Sequence, residues 1–296
     1  MSNIPQTELR SPNTFGLDEM PANQLVRVLA GEHGAAVAAV LAVSEQVAQA
    51  VNEITVRLRR GGRLHYVGAG TSGRIGYLDA SEMPPTFGTD PSLVCAHIAG
   101  GIQALTRAIE GAEDDRDAGV AEMREHVRAG DAVLAISASG TAPFVVGAVT
   151  AAREQGAWTL GVSNSPDSPL ASAAEYAIVL ATGPEPLTGS TRMLAGTSQK
   201  ILLNTISTAT MVMLGKVYDN LMVDVVATNK KLRGRALRLV TGLSGVSEDR
   251  AREVLDASGG SVKAAVVMAM RGMDAEQAKA TLHANGGSLR ASLHKG

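Results

Sequence analysis

Residues 66–91, YVGAGTSGRIGYLDASEMPPTFGTDP, form the stretch of sequence that decides the fold. A short apolar run predicts a strand, which opens into the turn 68–70, the adjacent hydroxyls Thr71 and Ser72, and a helix from about Gly73. A glycine turn between a strand and a helix lets backbone N–H groups approach a ligand, and a helix N-terminus favours an anion. The pattern therefore predicts a phosphate site. An ordinary strand–turn–helix connection is the alternative, because short glycine motifs are weak signals.

A carboxylate follows this turn at one helix length. Glu82 precedes the pair Pro84-Pro85. Proline fixes its own φ and restricts the residue before it, so the backbone near Glu82 is predicted to be rigid. A carboxylate held close to a phosphate site is a candidate for general acid–base chemistry.

Two other kinds of phosphate site do not fit this stretch. Gly68, Gly70 and Gly73 read G-x-G-x-x-G, but a dinucleotide site needs an acidic residue about twenty positions later, at a strand end. Asp90 lies in that range within the turn 88–91 instead of at a strand end. No G-x-x-x-x-G-K-[ST] occurs, which excludes a nucleotide P-loop. Neutral hydroxyls with N–H donors suit a phosphomonoester, which accepts many short hydrogen bonds.

A second hydroxyl-rich loop lies within residues 130–145, GDAVLAISASGTAPFV. Its apolar run is typical of a buried parallel strand, and Ser137, Ser139 and Thr141 follow it directly. Serine and threonine also cap helices, but one cap needs one hydroxyl. Open α/β sheets bind ligands at the carboxyl ends of their strands, so the two loops are predicted to converge on one phosphate.

A third cluster, residues 188–192 (TGSTR), precedes a long helical run. It supplies Ser190 as another candidate phosphate or sugar ligand, and Arg192 adds a cation.

Strand and helix patterns alternate along the middle of the chain. This alternation predicts an α/β fold, with a parallel sheet flanked by helices and joined by right-handed crossovers. Apolar residues at three- and four-residue steps predict N-terminal helices within 17–60. The predicted strands are 63–67, 92–98, 132–136, 158–163 and 176–181, and the predicted later helices are about 73–80, 102–127, 142–155, 168–174 and 190–217.

The composition changes from about residue 232. A helix capped at Ser247 and further helices at 261–271 and 274–284 predict a small helical bundle. The predicted domains are an N-terminal helical region (1–52), an α/β domain that carries the predicted phosphate site (53–220) and a C-terminal helical bundle (221–296).

Charge and composition narrow the function classes. The net charge is −2 and no basic stripe alternates with aromatic residues, so no nucleic-acid partner is predicted. The N-terminus is polar without the apolar core of a signal peptide, and no apolar stretch of membrane-spanning length lacks a charge or a turn. The sequence therefore predicts a cytoplasmic protein with no membrane partner.

The metal-binding residue types are sparse. The single cysteine, Cys95, excludes an intramolecular disulfide and a cysteine-based zinc site, and its apolar surroundings predict a buried, inert thiol. The six histidines are scattered without ligand spacing, so neither a metal nor a cofactor is predicted.

Seven segments, in the family order, resemble the N-acetylmuramic acid 6-phosphate etherase family, and the resemblance runs from about Thr7 nearly to the C-terminus. The segments are GAGTSGR (68–74), LDASEMPPTFG (78–88), IAGG (98–101), AIEGAEDD (108–115), ISASGTAPFV (136–145), TGSTRMLAGTSQK (188–200) and NLMVDVVATNKKL (220–232). The resemblance implies a sugar isomerase (SIS) domain that binds phosphosugars, a ubiquitin-associated-like C-terminal bundle and a homodimer. It also implies cleavage of the lactyl ether of the muramic acid phosphate, giving N-acetylglucosamine 6-phosphate and D-lactate during cell-wall sugar recycling.

The family's two catalytic glutamates correspond to Glu82 in ASEMPPT and Glu113 in EGAEDD. Elimination of the ether needs a base at C2 and an acid at the ether oxygen. The rigid backbone at Glu82 suits the acid, and the acidic run 110–115 suits the base at Glu113, although a solvated acidic turn is the alternative for that run.

Two other functions are compatible with the same fold. A non-catalytic phosphosugar sensor resembling the glucokinase regulatory protein would need two SIS copies, and this chain has room for one. An aldose–ketose phosphosugar isomerase also uses a glutamate, so the presence of both Glu82 and Glu113 in their motifs favours the etherase.

Overall fold

The computed structural model describes residues 5–224 and 230–294. The chain divides into two compact units, which are described separately. Unit 1 comprises the described residues of Met1–Ala80 and Ser92–Ser207, and unit 2 those of Ser81–Pro91 and Thr208–Gly296.

A five-stranded parallel sheet with the strand order β2-β1-β3-β4-β5 forms the centre of unit 1. Each strand begins and ends within two residues of its predicted bounds, which confirms the α/β fold. The strands are β1 (Leu64–Gly68), β2 (Val94–Ile98), β3 (Ala132–Ile136), β4 (Trp158–Ser163) and β5 (Tyr176–Val179).

The helices start at residues that the sequence marks. Pro143 and Pro169 occupy first helical positions, and Asp274 and Gln277 form a capping box. The helices are α1 (Ala22–Glu32), α2 (Gly34–Ala42), α3 (Ser44–Arg59), α4 (Gly70–Phe87), α5 (Arg116–His126), α6 (Pro143–Glu154), α7 (Pro169–Ala173), α8 (Leu194–Met213), α9 (Lys230–Ser244), α10 (Glu248–Ala257), α11 (Val262–Arg271), α12 (Ala275–Ala284) and α13 (Leu289–Leu293).

The helix predicted over 102–127 is wrong for its first half. Short 3-10 turns, Ile102–Leu105 and Ala112–Asp114, occupy that half, and the α-helix begins only at Arg116. The Asp115 carboxylate accepts a hydrogen bond from the Ala118 amide at 2.9 Å, which makes Asp115 the helix cap. The acidic run therefore lies in a turn and in a cap instead of inside a helix.

The helix predicted over 73–80 is longer than expected. α4 runs from Gly70 to Phe87 with Pro84 and Pro85 inside it. Proline removes an N–H donor and disfavours a helix interior, which is why the sequence pattern stopped short. Glu82 is consequently a helical residue.

One face of the sheet packs against α5, α6 and α7. Alternate strand residues, including Val67, Val133 and Ala135, are buried there against Val145 and Ala148 of α6. Small side chains dominate this core, so the helices can approach the sheet closely, in agreement with the alanine- and valine-rich composition.

Hydrogen bonds link the opposite face to α4 and α8. The buried Tyr66 hydroxyl donates to the Asp79 carboxylate on α4 at 2.8 Å. Asn204 and Ser207 of α8 donate to the other oxygen of Asp79 at 2.6 and 3.2 Å. Asp79 therefore connects β1, α4 and α8 through a satisfied buried carboxylate.

The N-terminal helices α1 and α2 form one stretch, Ala22–Ala42, that by length and composition alone is apolar enough to cross a membrane. The stretch carries Arg27 and Glu32 and is interrupted at His33. Neither helix alone reaches the roughly 20 apolar residues that a bilayer needs.

Unit 2 contains the C-terminal helices α9 to α13 and a short antiparallel pair, β6 (Val217–Tyr218) with β7 (Leu221–Met222). The three predicted C-terminal helices are present as α10, α11 and α12. Together with α9 and α13 they enclose a core that includes Val240, Val254, Val266, Ala278 and Leu289. Residues 225–229 of the motif NLMVDVVATNKKL lie outside the described residues.

Candidate active site

The glycines after β1 allow α4 to start directly at the strand end. A Cβ on Gly68 would lie 2.7 Å from the Gly73 amide, and a Cβ on Gly73 would lie 2.5 Å from the Ile98 side chain. Only glycine fits both positions without displacing the backbone. The first N–H groups of α4, which lack acceptors within the helix, are thereby placed at the carboxyl end of β1.

The hydroxyls of Thr71 and Ser72 lie in this first turn of α4. Thr71 is partly exposed and packs near Gly196 of α8. Ser72 is buried, and its hydroxyl donates to Gln199 Oε1 at 2.8 Å. The Ser72 proton is therefore engaged within the protein in this state.

The loop after β3 carries the hydroxyls of Ser137, Ser139 and Thr141. Ser137 Oγ accepts from the Gly140 amide at 3.1 Å, so its own proton remains to be donated. Ser139 Oγ and Thr141 Oγ1 are 2.8 Å apart and share one hydrogen bond, which leaves one of their two protons to donate elsewhere. Thr141 is exposed and Ser139 is partly exposed.

These two loops are neighbours. β1 and β3 pair in parallel with Gly68 opposite Ile136, so both strands end at the same level of the sheet. The turn that starts at Gly68 and the loop that starts at Ser137 therefore leave the sheet side by side. N–H donors and hydroxyls of both segments therefore lie at the carboxyl ends of the strands, where α/β sheets commonly bind ligands.

A buried amide network behind these loops was not found from the sequence. Gln199 Nε2 donates to Asn164 Oδ1 at 3.0 Å, and Asn164 donates to the Leu180 carbonyl at 3.1 Å and to Ser198 Oγ at 3.0 Å. Together with the bond to Ser72, these contacts connect the β1 turn to the ends of β4 and β5. Gln199 lies inside the motif 188–200, but no sequence pattern indicates that it contacts Ser72 and Asn164.

The third cluster has a different environment. Ser190 lies in a turn in which its amide donates to the Leu187 carbonyl at 2.9 Å. The α8 N-terminus that follows is capped by the buried Glu185, whose carboxylate accepts from the Leu194 and Ala195 amides at 2.7 and 2.9 Å. These amides are thus occupied by a protein carboxylate.

Glu113 lies near the carboxyl end of β2. Gly100, with φ +82°, follows that strand, and a Cβ there would lie 3.0 Å from Ile109 and 3.2 Å from Ala112. This close approach packs the turn Ala112–Asp114 against the strand end. The Glu113 side chain is exposed, as a group that contacts substrate requires.

Glu82 is an exposed residue of α4 and belongs to unit 2. The next residue, Met83, is buried, so this turn of the helix is anchored on one side while the carboxylate faces solvent.

The histidines are less scattered than the sequence suggested. His65, His97 and His126 come together with Glu122 and Asp131, since β1 and β2 are paired and α5 covers them. Burial, assisted by the neighbouring His97, lowers the pKa of His65 to about 4. Burial acts to raise the pKa of Asp131, but the Arg63 and Arg128 amides hold it below its usual value.

Cys95 is half-buried, where the sequence predicted a buried residue. Its thiol donates to the Ser92 carbonyl at 3.3 Å, and burial raises its pKa. A thiol with a raised pKa carries little thiolate at neutral pH, which agrees with the expected inertness.

Two family models match overlapping parts of the chain. Residues 46–153 match the glucokinase regulatory protein N-terminal SIS domain, and residues 104–209 match the SIS domain.

Named relatives are similar in sequence to this protein over most of the chain. The N-acetylmuramic acid 6-phosphate etherase of Symbiobacterium thermophilum is 50% identical over 88% of this chain and 87% of its own length. The enzyme of the same name from Deinococcus radiodurans is 48% identical over 90% of this chain and 88% of its own length.

Among solved structures, a phosphoheptose isomerase from Francisella tularensis superposes with a TM-score of 0.52 at 15% identity, covering 65% of this chain and 100% of that chain. At this identity the likeness establishes the fold alone.

Proposed function

This chain belongs to the N-acetylmuramic acid 6-phosphate etherase family, and from that membership we propose that Glu82 and Glu113 are its catalytic acid and base. The chain is an enzyme, a carbon–oxygen lyase of cell-wall amino-sugar recycling. It cleaves the lactyl ether of N-acetylmuramic acid 6-phosphate to N-acetylglucosamine 6-phosphate and D-lactate.

The chemistry is an elimination followed by a hydration. Ring opening makes C1 an aldehyde, which acidifies the proton on C2. A base removes that proton, the C3–oxygen bond breaks, and an acid protonates the departing lactate oxygen. Water then adds to C3 of the unsaturated aldehyde and a proton returns to C2. Two carboxyl groups in opposite protonation states supply both transfers.

We assign the acid to Glu82 and the base to Glu113. Both carboxylates are exposed, and each is held by packed neighbours, Met83 beside Glu82 and Ala112 against Gly100. A positioned proton-transfer group contributes about 10²–10⁴-fold to a rate.

The sugar phosphate is proposed to bind where the β1 and β3 loops leave the sheet. The observation that carries this assignment is the parallel register of Gly68 with Ile136, which brings the two hydroxyl loops together. The proposed ligands are the first N–H groups of α4 and the hydroxyls of Thr71, Ser72, Ser137, Ser139 and Thr141, with Ser190 as a further sugar or phosphate contact.

The enzyme is further proposed to be a homodimer in the cytoplasm. Val26, Val37 and Leu41 on the consecutive helices α1 and α2 are 65%, 48% and 68% exposed, and these exposed apolar side chains support a surface that a partner covers. A phosphorylated sugar does not cross a bilayer unaided, which places its consumption in the compartment where it is formed. Near-neutral net charge gives no support for a nucleic-acid partner.

The decisive experiment is incubation of the full chain with N-acetylmuramic acid 6-phosphate in ¹⁸O- and deuterium-labelled water. We expect D-lactate release, solvent oxygen at C3 and solvent hydrogen at C2. Retention of the original oxygen on C3 would exclude elimination–hydration. Tight binding of the sugar phosphate without lactate release would instead support the non-catalytic sensor.

A further inference from the structure

Three metal-ligand side chains converge at the β2 edge of the sheet. Glu122 Oε1 lies 2.7 Å from His97 Nδ1 and 3.6 Å from His126 Nε2. One ligand atom from each of the three side chains lies within 4.8 Å of the others. Glu122 and His126 are four residues apart on α5 and therefore share one side of that helix.

These distances suit a single small cation after minor side-chain rotation. Zinc binds imidazole nitrogen and carboxylate oxygen at about 2.0–2.2 Å, so ligands of one tetrahedral ion lie roughly 3.4 Å apart. The side chains of Glu122 and His126 are 39% and 44% exposed, so they can adjust and water can complete the coordination. His97 is 7% exposed and fixed, which gives the site one preorganised ligand.

Behind His97 a buried relay fixes the orientation of its ring. His97 Nε2 lies 3.0 Å from His65 Nδ1, and His65 Nε2 lies 3.3 Å from Asp131 Oδ2. The Arg63 and Arg128 amides donate to Asp131 at 2.8 and 3.0 Å, so this carboxylate is itself held in place. A metal-binding histidine usually has its far ring nitrogen hydrogen-bonded to a fixed partner in this way.

The relay also determines which nitrogen of His97 faces the cluster. Asp131 only accepts, so His65 Nε2 carries the hydrogen and His65 Nδ1 is an acceptor. His97 Nε2 then donates to it, so His97 Nδ1, which is directed at Glu122, is the nitrogen that can bind a cation. His97 Nδ1 and Glu122 Oε1 are 2.7 Å apart, and either a proton or a metal ion between them joins the two atoms. A proton would satisfy that pair alone, whereas a metal ion also accounts for the second nitrogen, that of His126.

We propose that His97, Glu122 and His126 form a binding site for a divalent transition-metal ion of the zinc class, with His65 and Asp131 as positioning residues. The set of two imidazoles and one carboxylate favours such ions over magnesium or calcium, which prefer oxygen ligands. The ion joins β2 to α5, the helix that follows the Glu113 turn, and so acts on the stability of that region. No step of the ether cleavage passes through it.

The test uses the full chain without an affinity tag, stripped by a chelator and titrated with zinc chloride in a calorimeter. We expect one zinc ion per chain and a higher melting temperature in its presence, because a ligand that binds only the folded state stabilises it. Cobalt(II) at the same site should give visible absorption typical of a tetrahedral centre, and magnesium should not compete.

His126→Gln, at an exposed position, should weaken zinc binding by more than about tenfold, and His65→Asn should weaken it by about 10–100-fold through loss of orientation. Glu125→Gln on the same helix and Cys95→Ser on the same strand are the matched controls and should bind like the parent chain. Equal zinc affinity of the parent and His126→Gln chains would overturn the proposal. So would a parent chain that takes up no zinc and keeps an unchanged melting temperature.

Discussion

The hydroxyl of Ser72 donates to Gln199 Oε1 at 2.8 Å, across 127 residues of sequence. This bond joins a proposed phosphate ligand in the first turn of α4 to the middle of the unit 1 part of α8. A phosphate that accepts from Ser72 must therefore compete with Gln199. Ser72 can therefore act in two ways, as a phosphate ligand and as a structural link to α8, and measurements of affinity and of melting temperature distinguish them.

We expect Ser72→Ala to weaken phosphosugar binding by about tenfold or more, since a hydrogen bond to a charged group contributes roughly 1.5–3 kcal/mol. Affinity for N-acetylglucosamine 6-phosphate, measured by calorimetry, is the readout, and Thr205→Ala on the exposed side of α8 is the control. Unchanged affinity with a lowered melting temperature would show that Ser72 only supports the loop.

The loop after β3 should behave differently from Ser72. Ser137→Ala and Thr141→Ala should each weaken the same affinity by about tenfold. Thr141→Ala should leave the melting temperature near that of the parent, because its side chain is exposed. If neither variant changed the affinity, the phosphate site would have to lie elsewhere.

Replacement of the two glutamates should separate the steps of the reaction. Glu113→Gln should abolish exchange of the C2 hydrogen with solvent, whereas Glu82→Gln should retain exchange and slow lactate release by about 10²–10⁴-fold. Nuclear magnetic resonance in deuterated water follows both processes, and Asp114→Asn is the neighbouring control. The opposite pattern would exchange the two roles, and full activity in either variant would remove that residue from the mechanism.

The buried lysine of unit 2 should be important for stability. Lys263 is 6% exposed and donates to Asp224 at 2.6 Å and to the Gly287 carbonyl at 2.8 Å, and burial lowers its pKa despite the opposing charge of Asp224. Lys263→Met should lower the free energy of unfolding by about 2–3 kcal/mol in urea denaturation, because the Gly287 carbonyl loses this donor and Asp224 keeps only its ion pair with Lys216 at 3.3 Å.

Lys279 gives a matched comparison, because it forms an ion pair with Glu276 at the surface. The side chains of Lys279 and Glu276 are 53% and 87% exposed. Lys279→Met should change the unfolding free energy by less than about 0.5 kcal/mol. Equal effects of the two substitutions would contradict the importance of burial.

Glu185 provides a pH-dependent test. Burial raises its pKa above the usual 4.5, although the Ala195 and Leu194 amides act in the opposite direction. The native state then holds a proton that the unfolded carboxyl has already lost, so this group's contribution to stability falls as pH rises from about 4.5 through the raised pKa. The destabilisation caused by Glu185→Gln, which does not titrate, should therefore be smaller at about pH 8 than at about pH 5. A destabilisation by Glu185→Gln that increased with pH would contradict this prediction.

The sheet could be predicted from the sequence because its strands are continuous apolar runs bounded by turn residues. The hydroxyl loops could be placed at one edge for a related reason. Parallel strands all end at the same side of a sheet, so the loops that leave their carboxyl ends meet there. Local pattern and chain direction together placed the loops of Thr71 and Ser137 at this edge, and the role of the two hydroxyls as phosphate ligands stays a prediction.

Other features depend on packing that no local pattern contains. α4 continues through Pro84 and Pro85 although proline disfavours a helix interior. The helix predicted over 102–127 is shorter in the structure, because Asp115 caps a helix that begins at Arg116. Asn164 and Gln199 meet only because α8 returns to the ends of β4 and β5. His97 and His126 lie on different elements, and their proximity results from the way α5 crosses the edge strand.

The order of strands also constrains how the molecule is made. In the chain, β2 is synthesised between β1 and β3, but in the sheet it is the edge strand beside β1. β1 therefore has neighbours on both sides only after β3 has paired with it. A chain emerging from the ribosome cannot complete the paired hydroxyl loops until residue 141 has left the exit tunnel. Parallel pairing between segments that are distant in sequence forms slowly. A sugar phosphate that binds at these loops can therefore stabilise the folded state only late in synthesis. Truncated nascent chains that stop before β3 would then gain no protection from protease when the ligand is added.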